Sequence, residues 1–248
     1  MQGRLLNNRL AERFSRQVIL LGKRDMEKIR ASTVAIVGAG GVGSHSALLC
    51  AQLGFGRIIV VDGDKVEESN LNRSALSREE SVGKNKALDA ARELKKMSRW
   101  TSIEAVPFLL SERTEGALRK ADMILDCTDN FAARLEINRY CFGARKPWVY
   151  ASAIRNEAMV STIIPGKTPC FKCWAKPPKG AATCREIGVL PTAPALAAAV
   201  QAAEAANLVL GRPALAGKLF YADLGRGTFG VKPLERRKNC ACLGHVRD

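Results

Sequence analysis

Short β-branched and apolar runs alternate with longer segments of helical period along most of this chain. Residues 11–31 read as a helical lead-in that carries Arg13, Arg16 and the amphipathic stretch from Asp25 to Ile29. Thr33 to Val37 is a continuous apolar run that ends at a cluster of glycines, the pattern of a buried parallel strand. A helix is predicted from Val42 to Leu53, and Arg57 to Val61 repeats the strand pattern. Together these make one strand–helix–strand unit of about thirty residues, the length a parallel crossover needs. Asp62 to Glu80 is polar and without period, and loops of that length in compact domains are usually functional.

The alternation continues with a helix from Lys84 to Met97 and strands at Ile103 to Phe108 and Met123 to Cys127. A helix from Phe131 to Ala144 and a strand from Trp148 to Ala153 follow. The expected fold is α/β, an open and mostly parallel sheet with helices on both faces. After Glu157 the texture changes. Met159 to Ile164 reads as a strand, and Cys170 to Leu190 as a loop rich in Pro, Lys, Gly and Cys. Pro194 to Leu210 is an Ala-rich helix, and Leu219 to Leu224 with Thr228 to Leu234 form a closing β pair around Gly225 and Gly227. No internal repeat is visible. The expectation is one domain over residues 1–248: a lead-in (1–31), a nucleotide-binding core (32–155) and a C-terminal elaboration (156–248).

Gly38-Ala39-Gly40-Gly41-Val42-Gly43 fits G-x-G-x-x-G between a strand and a helix, the Rossmann-like arrangement. Such glycines allow a tight turn and let backbone N–H groups approach phosphate. Asp62 ends the next strand, where an acid holds a ribose hydroxyl. A nicotinamide dehydrogenase is the default reading of this fingerprint. The residues that follow favour a triphosphate instead: Asn70, Arg73, Lys84 and Lys86 lie on or just after the long loop. Asp126, Asp129 and Asn130 follow the strand at 123–127, and a carboxylate there suits Mg²⁺ beside substrate phosphates.

Six segments in series carry a family resemblance. They are Arg13-Phe14-Ser15-Arg16-Gln17, the glycine loop, Asp62-Gly63-Asp64-Lys65-Val66, Ser69-Asn70-Leu71-Asn72-Arg73, Gly83-Lys84-Asn85-Lys86-Ala87 and Asp126-Cys127-Thr128-Asp129-Asn130. The series resembles the ThiF/MoeB/HesA family, relatives of the ubiquitin-activating enzymes, from about residue 12 to 243. The resemblance implies ATP-dependent adenylation of the C-terminal Gly-Gly carboxylate of a small ubiquitin-like or sulfur-carrier protein, with release of pyrophosphate. It implies a nucleotide site of Gly38, Gly40, Gly41, Gly43, Asp62, Asp64, Asn70, Arg73, Lys86, Asp129 and Asn130. In it Asp62 takes the ribose, Asn70, Arg73 and Lys86 surround the triphosphate, and Asp129 holds Mg²⁺. Arg16 would reach the ATP of a neighbouring subunit in a homodimer. Attack of a carboxylate on the α-phosphorus needs positioning and charge neutralisation rather than a base. The only histidines, His45 and His245, are not placed as one.

Eight cysteines remain to be explained. Cys50, Cys127 and Cys141 fall in apolar helix or strand contexts and read as buried small hydrophobes. Cys170-Phe-Lys-Cys173 and Cys240-Ala-Cys242 are two close pairs that suit a structural zinc. The resemblance leads one to expect C-x-x-C in the second pair also, yet Leu243 stands at that fourth position. Cys242 with a shifted turn and His245 are both candidates for the last ligand. A redox pair at Cys170 and Cys173 competes, without a thioredoxin-like context around it. Cys184 stands alone on the loop. The resemblance makes it a possible thioester or acyl-disulfide cysteine, and Arg185 and Lys179 would favour its thiolate.

The net charge is +15 with a pI near 9.8, which attracts acidic partners or simply marks a basic, solvated surface. A related branch that activates carboxylates on modified tRNA is the first alternative. Only three Trp and three Tyr are present, so no aromatic strip for stacking bases is evident and a nucleic-acid partner is not expected. No run of about eighteen apolar residues spans a membrane, and the opening residues lack the apolar region of a secretory signal, so a cytoplasmic chain is expected. Sulfur would come from an external donor, since no sulfurtransferase domain follows.

Overall fold

The computed structural model describes residues 12–111, 114–176 and 187–240. The helical lead-in is two helices, α1 (Ser15–Leu21) and α2 (Lys23–Ala31). Gly22 divides them with φ +82° and ψ 161°, a conformation open to glycine alone. Then come β1 (Thr33–Val37), α3 (Gly41–Leu53), β2 (Arg57–Val61), α4 (Lys86–Met97) and β3 (Ser102–Val106). The second half of the core is α5 (Glu115–Leu118), β4 (Met123–Asp126), α6 (Phe131–Gly143) and β5 (Trp148–Ile154). The elaboration adds β6 (Glu157–Ile163), α7 (Phe171–Trp174), α8 (Thr192–Val209), β7 (Lys218–Asp223) and β8 (Thr228–Pro233).

All eight strands share one sheet in the order β3-β2-β1-β4-β5-β6-β7-β8. Strands β3, β2, β1, β4 and β5 are parallel, and β6, β7 and β8 extend the sheet antiparallel. The elaboration therefore continues the same sheet. Because side chains alternate along a strand, the faces carry different sets. Val34, Ile36, Ile58, Val60, Leu125 and Val149 pack with α3, α4 and α8 on one face. Ala35, Val37, Ile59, Val61, Ile124 and Trp148 pack with α6 and the Phe171 turn on the other.

Several boundaries move for local reasons. The third strand stops at Val106 rather than Phe108, because Pro107 has no amide to give to a ladder. The fourth helix starts at Lys86 rather than Lys84, since Asn85 Oδ1 accepts the Leu88 amide at 3.0 Å and caps it. Within the expected loop from Cys170 to Leu190, Phe171–Trp174 forms a helical turn.

Helix α8 is built from small residues, which bring it close to α3, β5 and β6. Two polar side chains in that alanine background are fully or nearly fully buried, Gln201 and Glu204. Glu204 accepts from Thr162 Oγ1 (2.7 Å), Leu215 N (2.8 Å), Ala214 N (2.9 Å) and Asn207 Nδ2 (3.2 Å). Four donors satisfy the carboxylate and fasten the helix to β6 and the turn before β7. No described helix is long and apolar enough to cross a membrane.

Candidate active site

In an open parallel sheet, ligands bind beyond the carboxyl ends of the strands, where the chain reverses its order of laying them down. Here the reversal lies between β1 and β4, and a cleft of about 470 Å³ opens there. Its floor is made by the residues that leave β1, β2, β4 and β5.

Gly38, Gly40 and Gly41 line the cleft, with Val42 behind them. Gly38 has φ +94°, and a Cβ on it would stand 2.7 Å from the Cys127 carbonyl oxygen. Gly43 does not line the cleft. A Cβ there would lie 1.8 Å from the Gly38 carbonyl oxygen, so this glycine lets α3 pack against the turn. No side chain caps α3 at Gly40, which leaves first-turn amides facing the cleft as an anion site. His45 Nδ1 lies 2.8 Å from the Gly41 carbonyl oxygen, on the helix itself rather than over the cleft.

Asp62 holds the loop. Its Oδ2 accepts the Ala39 amide at 2.6 Å and its Oδ1 the Asp64 amide at 2.8 Å. Burial pushes its carboxyl up, against the lowering pull of those two amides and of Lys86. The polar excursion then closes on itself. The Asn85 side-chain Nδ2 donates to the carbonyls of Asp62 (3.0 Å) and Asp64 (3.2 Å), and Val66 exchanges backbone bonds with Lys84 and Gly83. That closure sets Lys86, whose Nζ is 3.2 Å from Asp64 Oδ2, on the cleft wall. Asn70 and Arg73 also line the cleft. Asn70 Oδ1 accepts the Glu67 amide at 3.1 Å, and the Arg73 guanidinium bonds the Ser69 carbonyl and Asn72 Oδ1. The Arg73 stem lies 3.4 Å from where a Gly41 Cβ would be. Lys84 is exposed and outside the cleft, and Arg16 is exposed on α1 and likewise does not line it.

The loop after β4 supplies Thr128, Asp129 and Asn130 to the cleft. Asp129 is exposed there. Asn130 also caps α6, its Oδ1 accepting the Ala133 amide at 2.8 Å. Asp126 is different from what its place in the sequence suggests. It is fully buried and does not line the cleft, so it is no ligand for a metal there. Its Oδ1 accepts Thr128 Oγ1 (2.7 Å) and the Thr128 amide (3.0 Å), and Arg134 Nε is 3.7 Å from its Oδ2. Burial pushes its carboxyl up, with Arg134 and Thr128 pulling the other way.

Sequence reasoning misses Arg134, Gln201, Leu109 and Leu110. Arg134 lines the cleft, donates to the Thr128 carbonyl at 2.7 Å and lies over the Tyr150 ring at 5.0 Å. Gln201 joins four elements: its Nε2 donates to the carbonyls of Asp126 (2.9 Å) and Val149 (2.8 Å), and its Oε1 accepts Ser46 Oγ (2.7 Å) and Cys127 Sγ (3.2 Å). A lone glutamine in an alanine run is the one signal that could reveal it. Leu109 and Leu110 wall the cleft beside Gly63, where a Cβ would meet the Leu109 amide at 2.6 Å. The Cys127 thiol borders the cleft but is pushed well up by burial, which makes it a poor nucleophile.

Away from the cleft, Cys170, Cys173 and Cys240 bring their sulfurs within 4.8 Å of one another. Cys170 and Cys173 are 3.8 Å apart, and Cys170 and Cys240 3.3 Å. These are not disulfide lengths; tetrahedral zinc at about 2.3 Å from each sulfur sets neighbouring sulfurs about 3.8 Å apart. The donor set fits a metal. Arg237 Nε bonds the Cys173 carbonyl at 2.9 Å and ties the C-terminal segment to this turn. Phe171, between the first two cysteines, is buried against Phe131, Trp148, Tyr150 and Trp174. Cys184, Cys242 and His245 lie outside the described residues.

The chain is similar to known proteins along most of its length. The heterocyst protein HesA of Trichormus variabilis is 34% identical over 238 residues, covering 94% of this chain and 89% of that protein. The sulfur carrier protein adenylyltransferase of Thermus thermophilus is 34% identical over 246 residues, covering 94% of this chain and 90% of that protein. MOCS3 of Aedes aegypti, named an adenylyltransferase and sulfurtransferase, is 35% identical over 95% of this chain, which spans 56% of its length. Among solved structures, Escherichia coli MccB with ATP superposes with a TM-score of 0.81 at 25% identity, over 93% of this chain and 74% of that one. The pattern that defines the ThiF family matches residues 14–244, and the chain belongs to that family.

Proposed function

We propose that this protein adenylates the C-terminal carboxylate of a small ubiquitin-like or sulfur-carrier protein ending in Gly-Gly, using ATP and releasing pyrophosphate, for sulfur transfer or protein modification. The observation that carries this reading is the make-up of the cleft. A helix N-terminus, three cations (Arg73, Lys86 and Arg134) and several carboxylates, Asp129 among them, line it, with no histidine among the described lining residues. That set neutralises and positions phosphates, and attack by a carboxylate that is already ionised needs no base or nucleophile from the protein.

The residues divide the work. The Asp62 oxygens each accept one amide and keep a lone pair for the ribose hydroxyls. Leu109 and Leu110 give an apolar wall for the base. Asn70, Arg73 and Lys86 hold the triphosphate, and Arg16 reaches the triphosphate bound by a second copy in a homodimer. Asp129 is an open carboxylate on the rim and suits Mg²⁺, which takes one or two carboxylates beside phosphate oxygens. When bound, that ion offsets charge building on the leaving pyrophosphate. Cys170, Cys173 and Cys240 hold a structural zinc, with Cys242 or His245 as the fourth ligand. Cys184 is not required for adenylation, and sulfur comes from an external donor in the cytoplasm.

Exchange of labelled pyrophosphate into ATP tests the reading. With magnesium and a cognate carrier the wild type should exchange, and Asp129→Ala should abolish it. Full exchange in that variant would sink the assignment.

A further inference from the structure

We propose that Asp126 and Arg134 form a positioning pair that aims Asp129 into the cleft by gripping Thr128 from both sides. The inference rests on the reading of Asp129 as the metal-holding acid and adds two residues that act through its neighbour.

Three polar groups of Thr128 are held by side chains. Its amide and its hydroxyl donate to Asp126 Oδ1, at 3.0 and 2.7 Å, and its carbonyl accepts from Arg134 at 2.7 Å. Asp126 is itself fixed. It is fully buried at the end of β4, and its carbonyl is held by Gln201 at 2.9 Å. Arg134 comes from the first turn of α6, only 13% exposed, with its guanidinium against the Tyr150 ring. The two ends of the grip attract each other, Arg134 Nε standing 3.7 Å from Asp126 Oδ2. Among the described residues this buried carboxylate oxygen has no hydrogen-bond donor, and the guanidinium charge beside it offsets its burial.

The next residue is Asp129, exposed on the cleft with only a long contact of 3.5 Å from Asn130 Nδ2 to its carboxylate. Nothing stronger among the described contacts of that side chain fixes its direction. Its aim is therefore inherited from the backbone it hangs on. The backbone on its N-terminal side is clamped by the Asp126–Thr128–Arg134 grip. On the C-terminal side, Asn130 caps α6. An acid held this way meets a divalent ion without first having to be ordered.

The experiment measures Mn²⁺ coupling to nucleotide binding. The affinity of a non-hydrolysable ATP analogue is measured with and without Mn²⁺, and the ratio of the two reports how well Asp129 meets the ion. Asp126→Asn and Arg134→Lys should each lower that ratio about tenfold, the scale of losing a residue that orients a metal ligand. Thr128→Val should lower it similarly, and Thr128→Ser should recover most of it. Melting temperatures identify a variant that has failed to fold. If Asp126→Asn fails, the Thr128 and Arg134 variants carry the test. Folded variants with the wild-type ratio would overturn the positioning role while leaving adenylation intact. A wild type whose nucleotide affinity ignores Mn²⁺ would instead overturn the reading of Asp129, and this inference with it.

Discussion

The carboxylate of Asp62 accepts the amide of Ala39 at 2.6 Å, so the acid that ends the second strand also holds the glycine loop in shape. Its burial has a pH signature. The folded value is raised, so the folded protein keeps this proton more tightly than the unfolded chain, whose value is near 3.8. Between that value and the raised one the unfolded chain binds fewer protons, and stability falls as pH rises. Asp62→Asn removes the titration. In urea unfolding without nucleotide, the stability of the wild type relative to the variant should decline as pH rises above about 4. A difference that stays flat or grows would contradict the assignment.

The four glycines of the loop separate into two jobs. Gly43→Ala would put a methyl 1.8 Å from the Gly38 carbonyl oxygen, backbone against backbone. It should cost about 3 kcal/mol or more in stability, read by chemical denaturation. Around Gly40 no heavy atom lies within 4 Å of the added Cβ. Gly40→Ala should change stability by less than about 1 kcal/mol and still weaken ATP binding, because the methyl projects where phosphate approaches the backbone. Equal loss of stability in both variants would contradict that division.

Most of the sheet and the glycine-loop side of the cleft are legible in the sequence, because their signals are local. A β-branched run, a glycine cluster and a following helical period specify β1, the loop and α3. What escapes is set by distant partners. Gln201 reads as one polar residue in a helix, and only the fold brings it to Asp126, 75 positions away. Asp126 and Asp129 read alike, yet the strand end turns one into the core and leaves the other open. Asn85 lies among loop cations in the sequence, but its job is to cap α4 and close the mouth of the excursion.

The thiol cluster predicts metal content. Protein prepared without chelator should carry about one zinc per chain by elemental analysis, since a closed structural site binds a single ion. Cys173→Ser should lose the metal and melt earlier, because binding energy at such a site is folding energy. Metal-free wild type of undiminished stability would contradict this.

Arg16 stands outside the cleft of its own chain, which makes its proposed action on a second copy testable. Arg16→Ala and Lys86→Ala should each be inactive alone. Mixed and allowed to exchange subunits, they should recover up to about a quarter of wild-type activity, from heterodimers with one intact site. Confirmed heterodimers with no recovery would argue that Arg16 works within its own subunit.

The most direct test of adenylation is the intact mass of the carrier protein after incubation with the enzyme and Mg-ATP, quenched in acid. A carrier ending in Gly-Gly should gain the mass of one AMP, and a carrier lacking those two residues should gain none. An unmodified Gly-Gly carrier, in the presence of folded enzyme that binds ATP and that carrier, would contradict the account.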